Sequence, residues 1–566
     1  MASIGSVVQI GKNYRIEFAY RPAIALAVKE LPDRRYMYQE KHWLVPIQHR
    51  EEVERFARKH GLEFGHRHVN EADQDFAIPP MPELTVDIPL KREMRPYQKT
   101  GVAYAMEKKR LIIADDMGLG KTFQSIAAIT GLHHTGTTVF PCLIICPSAV
   151  KENWLKEITM ATNFKGIILQ ESVKNTFMEF YRVGMAQFFV VNYESLKKYF
   201  VSRIDDIPKG SKLRINNIHF REKHVNFFNS VIVDESHKVK SLATKNTKFT
   251  KGICTGKETI LMLTGTPVVN KPKDLVSQLG ILDRMSDFGG WKHFDQHYCS
   301  GPREASNLKE LNYKLNLTCF YRRNKTDEDI KVYLPDKMRQ VILCDLNEQS
   351  RKEYQHAQAD LESYMKHVKM KSDDQIEKSM KGEVMVRIGI LKNISARGKL
   401  KDAFEFIQDI IDGGQKIVVF ASLKEVISAV QERFPRSVRV TGAEDDKQKQ
   451  AAVDRFQNDA QIDVIVLNLK AGGVGINGLQ NVATQICFIE FGWHAAIMDQ
   501  AEDRLYRMGQ HSNVMCTYFL GRNTIDEWNY KLINSKRDIA NSVTGAEDQT
   551  EESIIDGVIN LFSTKI

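Results

Sequence analysis

Between residues 111 and 263, short unbroken apolar runs alternate with longer stretches of helical period. The run 111–114 leads into Asp115-Asp116, 143–146 into Pro147-Ser148, and 189–191 into Asn192-Tyr193. The run 231–233 leads into Asp234-Glu235-Ser236-His237, and 260–263 into Thr264-Gly265-Thr266-Pro267. Apolar runs this short, with no polar alternation, predict strands buried on both faces, and helices between them make the sheet parallel. Ligands of such sheets bind beyond the strands' carboxyl ends, where these polar groups gather. Past Asp336 the rhythm resumes, with runs at 417–420, 438–440, 464–467, 486–489 and 517–520. Residues 285–330 and 348–400 lack it and read as mainly helical. The expected fold class is α/β, with two parallel-sheet lobes carrying helical insertions.

A small α+β module precedes them. Tyr14, Ile16 and Phe18 alternate with Arg15 and Glu17, which predicts a strand, and Gly11-Lys12-Asn13 predicts a hairpin turn. Residues 22–31 predict a helix begun by Pro22; 36–38 and 43–45 predict strands around Glu40-Lys41. Val53, Phe56 and Ala57 line one face of a helix that Gly61 stops. Arg34, Arg35, Lys41 and Arg58 accompany Tyr36, Tyr38 and Trp43. The module is therefore either a packing appendage or a nucleic-acid module that contacts single-stranded DNA. Pro79-Pro80-Met81-Pro82 and Pro89 predict a stiff linker. The expected divisions are a module at 1–78, a linker at 79–90, a first lobe at 91–335 and a second at 336–545, with a helical protrusion near 348–400. An acidic amphipathic tail follows at 546–566, where Glu547, Asp548, Glu551 and Glu552 precede Ile554, Ile555, Val558, Leu561 and Phe562.

Composition narrows the class. The 566 residues suffice for several domains, and 42% hydrophobic with 27% charged residues is a globular balance. No apolar run approaches the roughly 18 residues of a membrane span, and Met-Ala-Ser-Ile-Gly-Ser does not open a secretory signal. Eight cysteines without a Cys-x-x-Cys pair argue against a disulfide framework or structural zinc and for a reducing compartment. Cys142 and Cys146 fall in a core strand, and His66 and His68 near Glu71 read as surface groups rather than metal ligands. These features predict a cytoplasmic protein in a bacterium or phage, or a nuclear one in a eukaryote. The net charge of +9 is compatible with a polyanionic partner.

Candidate chemistry concentrates at the strand ends. Gly118-Leu119-Gly120-Lys121-Thr122 forms a Gly-rich turn into a helix, which aims backbone N–H groups at a phosphate. Lys121 is placed to reach the β- and γ-phosphates of ATP, and the Thr122 hydroxyl to hold Mg²⁺. The generic pattern has Gly where Asp115 stands. Gln98, in Met94-Arg95-Pro96-Tyr97-Gln98 at the start of an amphipathic helix, either reads adenine with its amide or serves the helix start. Asp234 is placed to hold Mg²⁺ through water, and Glu235 to orient and deprotonate the attacking water. Thr264 and Thr266 offer hydroxyls that could sense the γ-phosphate. In the second lobe, Lys470-Ala471-Gly472-Gly473-Val474-Gly475-Ile476-Asn477 precedes a helix on which Gln500, Arg504 and Arg507 share a face. Arginines so presented across a cleft act as arginine fingers.

These motifs, in this order, resemble the Swi/Snf-type branch of the superfamily-two helicase-like ATPases. The matching residues are Asp-Asp-Met-Gly-Leu-Gly-Lys-Thr at 115–122, Pro147-Ser148, Asp234-Glu235-Ser236-His237, Leu263-Thr264-Gly265-Thr266-Pro267, Arg322-Arg323 and Gln500-Ala501-Glu502-Asp503-Arg504. That family habitually carries Asp at the position of Asp115. The resemblance implies two RecA-like lobes translocating on double-stranded DNA with ATP and Mg²⁺. It adds Tyr97, Asp116, Met117, Leu119 and Gly475 to the nucleotide contacts, and Ser236 and His237 to the coupling residues. For DNA it implies Pro147, Ser148, Asn192, Thr441, Lys470, Gly472 and Trp493. Arg35-Tyr36, Trp43-Leu44-Val45-Pro46 and Glu51-Glu52-Val53 further resemble the small HARP-type repeat of HepA-related annealing helicases. Val268-Val269-Asn270 and Phe491-Gly492-Trp493-His494 depart from the usual family turns. The expected function is remodelling or reannealing of branched DNA in replication or repair. The alternative is a motor that displaces a DNA-bound protein such as RNA polymerase.

Overall fold

A computed structural model describes residues 5–10, 13–18, 21–37, 42–65, 76, 78, 80–208, 212–265, 272–299, 306–368, 374–469 and 476–542. Its contacts group the chain into two compact units, one of residues 1–80 with 271–320 and one of residues 81–270 with 321–566.

The first unit holds a five-stranded sheet built from β1 (Gly5–Ile10), β2 (Asn13–Phe18), β3 (Arg35–Met37), β4 (His42–Pro46) and β5 (Glu63–Gly65). Their order is β3-β4-β2-β1-β5, antiparallel except where β5 runs parallel to β1. The period-two pattern does what it predicts: Tyr14, Ile16, Val7 and Val45 turn inward. There they meet Ile24 and Val28 from one helical segment and Val53, Phe56 and Ala57 from the helix Arg50–His60. Gly61, in the left-handed region at φ 65°, ends that helix. The expected turn residues Gly11, Lys12, Glu40 and Lys41, with Tyr38, Pro79, His66, His68 and Glu71, lie outside the described residues, as does the tail 546–566. The same unit contains the helices Pro272–Ile281, Gly290–Tyr298 and Leu308–Thr318. Phe76 packs its ring against Tyr313, centroids 5.6 Å apart.

The second unit holds both parallel sheets. The first comprises β6 (Arg110–Ile113), β7 (Cys142–Cys146), β8 (Gly166–Ile168), β9 (Phe188–Asn192), β12 (Ser230–Val233), β13 (Thr259–Leu263) and the two-residue β14 (Phe320–Tyr321), in the order β14-β6-β13-β12-β7-β9-β8. A separate antiparallel pair, β10 (Val201–Ile204) and β11 (Ile218–Phe220), stands apart from it. The second sheet comprises β15 (Lys337–Cys344), β16 (Lys416–Phe420), β17 (Val438–Val440), β18 (Val464–Leu467), β19 (Ala483–Phe488) and β20 (Val514–Gly521), ordered β15-β20-β19-β16-β18-β17 and parallel throughout. Each apolar run expected as a strand is one. Cys142 and Cys146 are buried in β7, and all eight cysteines are free. β8 and β15 were not anticipated. Lys337 and Arg339 interrupt β15, and it lies at a sheet edge, so no continuous apolar run marks it.

The long insertion is a pair of helices, Glu348–Val368 and Asp374–Gly398, packed over Tyr354, Leu361, Val384, Ile388 and Leu391. Two lysines near the end of this pair turn inward. Lys399 is buried and bonds Asp526 at 2.5 Å, and Lys392 donates to the Phe491 carbonyl at 2.8 Å. The helix Pro96–Lys108, expected to be amphipathic, is buried nearly all round, with Lys99 and Glu107 on its narrow exposed stripe. Among the described residues no helix is long and apolar enough to cross a membrane.

Candidate functional site

A cavity of about 680 Å³ opens where the carboxyl end of the first sheet faces the second lobe. It is lined by Gln98, Met117, Gly118, Gly120, Lys121, Thr122, Asp234, Glu235, Gln500, Arg504 and Arg507, residues far apart in sequence. The turn after β6 is what folding makes of a glycine-rich stretch. Gly118 and Gly120 both sit at φ 82°, a region side chains resist. A Cβ on Gly120 would stand 2.6 Å from the Gln98 amide, and one on Gly118 would stand 2.5 Å from Arg507 Cβ. The loop is thus closely packed from both lobes. The helix Lys121–His134 follows directly, with Gly120 as its cap.

Tyr97 and Gln98 both donate to the Leu119 carbonyl, at 3.0 and 3.1 Å. They brace the loop from beneath, and the Gln98 amide also accepts from the Arg95 N–H at its own helix start. Asp115 is fully buried. Its carboxylate accepts from Gln124 Nε2 at 2.7 Å and the Arg323 N–H at 2.9 Å, and burial pushes its pKa up to about 6. Asp116 accepts from the Lys325 N–H at 3.0 Å. The Lys121 ammonium folds onto the carbonyls of Asp115 and Asp116, at 2.6 and 3.1 Å, and burial lowers its pKa. These carbonyls hold it at the mouth of the loop.

Asp234 and Glu235 follow β12. The Asp234 carboxylate accepts from Trp154 Nε1 at 2.9 Å and from the Glu235 N–H at 2.9 Å. The Tyr193 hydroxyl donates to its backbone carbonyl at 2.6 Å. Burial first, and the neighbouring Glu235 second, raise its pKa to about 7. For Glu235, burial acts in the same upward direction, but His237, Lys121 and Arg504 outweigh it and the carboxyl is held below its usual range. His237 Nδ1 lies 3.2 Å from Glu235 Oε2. That oxygen is buried and makes no hydrogen bond within the described residues, and Glu235 itself is strained into the left-handed region at φ 51°. Two half-buried acids on the cavity wall, with acceptor capacity to spare, suit a divalent cation. Asp234 and Thr122 would hold Mg²⁺ there, and its charge would offset that of a bound phosphate chain. Ser236 and Thr264 are buried beside this turn. Gly265 comes close enough that a Cβ would meet Met117 at 2.5 Å.

The second lobe contributes its arginines differently from the expectation. The helix that was to carry them, Ala495–Glu502, ends before either one. From Asp503 the backbone winds in tight turns, with Leu505 N–H to the Glu502 carbonyl and Arg507 N–H to the Leu505 carbonyl. The helix ends where Glu502, fully buried, pairs with Lys337, Arg339 and Arg537 and accepts from Tyr518. Arg504 donates to the Ile476 carbonyl at 3.0 Å and Arg507 to Asn477 Oδ1 at 2.5 Å. Burial, then the neighbouring Arg507, lowers the Arg504 pKa to about 10.

Several groups joining the lobes were not anticipated. Lys325 pairs with Asp503 at 2.7 Å and donates to the Tyr506 carbonyl at 2.6 Å; burial brings its pKa to about 8. Asn477 Nδ2 donates to Asn153 Oδ1 at 2.7 Å. Only the place of Lys325 just after Arg322-Arg323, and of Trp154 just after Pro147-Ser148, could have drawn attention to them. Of the DNA candidates, Pro147 and Asn192 stand at the ends of β7 and β9, and Thr441 follows β17. Asn192 donates to Glu194 at 2.8 Å, and Thr441 to Glu444 at 2.7 Å. Trp493 is half-buried against Trp528, with Lys392 over its ring at 4.5 Å. Thr266, Lys470, Gly472 and Gly475 lie outside the described residues. No group of three or more His, Cys, Asp or Glu that could hold a metal occurs among the described residues.

Residues 97–401 match the SNF2-related domain, and residues 402–509 match the Helicase conserved C-terminal domain. The DNA annealing helicase and endonuclease ZRANB3 of Homo sapiens is 28% identical over 475 residues, covering 80% of this chain and 40% of the relative. A SWI/SNF-related matrix-associated actin-dependent regulator of chromatin subfamily A-like protein 1 homolog of Caenorhabditis elegans is 26% identical over 96% of this chain and 76% of its own length. The chain spans about two fifths of the length of the first of these. Among solved structures, the Sulfolobus solfataricus SWI2/SNF2 ATPase core in complex with dsDNA aligns over 85% of this chain and 97% of its own, at 22% identity and a TM-score of 0.39.

Proposed function

The chain belongs to the SNF2-related family, and from that premise we propose that it is an ATP-driven translocase on double-stranded DNA that remodels or reanneals branched DNA. One observation carries the proposal: the glycine-rich loop and acids of one lobe and two arginines of the other line a single cavity. A nucleotide bound there touches both lobes, so its hydrolysis changes how tightly they hold each other. Lys121 swings from the loop carbonyls to the β- and γ-phosphates. Glu235, kept ionised by its cationic neighbours, orients a water and takes its proton. Arg504 and Arg507 meet the charge that develops on the transferred phosphoryl group. DNA lies across the carboxyl ends of both sheets, where Pro147, Ser148, Asn192 and Thr441 are the contacts. Preference for branched DNA draws on the relatives, one of which is called a DNA annealing helicase. The test is ATPase rate with duplex, single-stranded, forked DNA and RNA, together with reannealing of a protein-held DNA bubble. Strong stimulation by duplex and fork is expected. Stimulation by single-stranded RNA alone would place the chain among RNA motors instead.

A further inference from the structure

The helix Lys151–Ala161 carries two adjacent side chains that reach opposite sides of the cleft. Trp154 is buried and its indole N–H donates to Asp234 Oδ2 at 2.9 Å, which fixes the carboxylate assigned to the metal. Asn153, one residue earlier and about 100° around the helix, faces the other lobe and accepts from Asn477 Nδ2 at 2.7 Å. The other end of that same amide, Oδ1, accepts from Arg507 Nη1 at 2.5 Å.

Chemistry dictates this polarity. A guanidinium has only donors, so Asn477 must turn its oxygen to Arg507 and is left with its NH₂ for the first lobe. Asn153 answers with an oxygen. Three side chains thus form a directed chain from Arg507 through Asn477 to Asn153, and each step fits only one orientation of each amide. The backbone around Asn477 is itself held. Its carbonyl accepts from Gln457 Nε2 at 3.1 Å, and the Ile476 carbonyl beside it takes Arg504. Residues 476–477 therefore seat both arginines, and Asn153 ties that seat to the first lobe.

We propose that Lys151–Ala161 couples the two halves of the nucleotide site, with Asn153 as the positioning residue that seats Arg507 through Asn477 when the cleft closes. The inference rests on the reading of Arg507 as a group that meets the nucleotide. Its consequence is a route from DNA to hydrolysis. The helix begins directly after the turn Ser148–Val150, next to the expected DNA contacts Pro147 and Ser148. A contact that shifts this turn moves the partner of Asp234 and the partner of Asn477 together, as one rigid body.

Steady-state ATPase at saturating duplex DNA tests this in the full chain, with thermal melting of each variant to confirm the fold. Asn153→Leu is expected to lower kcat about tenfold while KM for ATP moves less than about twofold. Asn153→Asp keeps an acceptor for the Asn477 NH₂ and is expected to recover most of the lost rate. Once Asn477→Ala has removed the bridge, Asn153→Leu should cost nothing further. The proposal is overturned by a Leu variant that turns over at the parent rate, by an Asp variant no better than Leu, or by an undiminished cost in the Asn477→Ala background. Lys121→Ala is measured alongside. Undiminished hydrolysis by that variant would sink the ATP-site reading itself, whatever Asn153 does.

Discussion

At Asp234 folding and function pull in opposite directions. A carboxylate enclosed beside Glu235 is unfavourable without a cation, and its pKa rises to about 7. Because the folded value lies above the unfolded one, this group favours the folded state when protonated. Its contribution is fully present below the unfolded pKa and is lost as pH rises through about 7. Without nucleotide, the melting temperature should therefore climb as pH is lowered from about 8 to 6 more than in Asp234→Asn, and that excess should vanish when Mg²⁺ and ATP are bound. Identical pH profiles for the two proteins would contradict the assignment. Asp115 adds the same sign in a lower window, near 6, and remains in both proteins. Lys121→Ala should lose tight nucleotide binding, whereas Glu235→Gln should bind ATP and fail to cleave it. Arg507→Ala should lower turnover by on the order of 10³–10⁵, with DNA affinity kept. Fluorescent-nucleotide binding beside phosphate release separates the three. That these residues share one cavity was legible in the sequence because each lies in a short motif of its own, the glycine-rich turn, the acid pair after a strand and the arginine-bearing turn. Asn153, Trp154 and Lys325 were not, since each gains its role from a partner at least 80 residues away.

Among the elements, the parallel strands were legible because burial on both faces leaves unbroken apolar runs. The edge strand β15 shows the limit of that signal. Its Lys337 and Arg339 look like surface charges until β20 and the helix Ala495–Glu502 fold beside them, and both then grip Glu502. The same contact explains why the arginines were expected on the wrong element. Reading Gln500, Arg504 and Arg507 on one helical face assumed a helix that in fact stops at Glu502. Glu502 thus organises the turn rather than lining the surface. With Lys337, Arg339 and Arg537 around it, its carboxyl is held far below its usual range. Glu502→Ala removes the buried carboxylate shared by Lys337, Arg339 and Arg537, which keep only Asp503 and Asp499 as partners, and should cost about 1–3 kcal/mol of stability, read as a lower denaturation midpoint of the second lobe. That stabilisation exists above the ordinary glutamate pKa and is lost as pH falls toward the depressed one. A denaturation midpoint unchanged by Glu502→Ala would mean the site's arginines are held by something else.

For the whole molecule, the sequence reads as a module, a proline-rich stretch and a motor in that order, and the fold's contacts group the residues differently. Residues 271–320, expected as part of the first lobe, share a compact unit with residues 1–80. The contact between Phe76 and Tyr313 is part of that grouping and spans more than 200 positions, a distance at which no periodicity carries information. Binding to duplex DNA should weaken steeply with salt and depend little on base sequence, because phosphate contacts release counterions but carry no base information. The module's contribution should be separable if the cut falls before Phe76. Removing residues 1–65 takes away the five-stranded sheet and leaves Phe76 beside Tyr313. The shortened chain should remain an ATPase driven by plain duplex, and should lose its preference for forks and its ability to reanneal a bubble. Point changes need the same care. Trp43 is half-buried on the module's core and packs against Tyr36 at 4.8 Å, so Trp43→Ala would unfold the sheet as readily as it would remove a base contact. Tyr36→Ala is the cleaner change, since Tyr36 is not part of that core, and a stacked base is worth about 1–3 kcal/mol. Fork preference lost in Tyr36→Ala, with an unchanged circular dichroism melt, would make the module a nucleic-acid reader. Forks remodelled equally well by the full chain and the 1–65 deletion would make it a packing element.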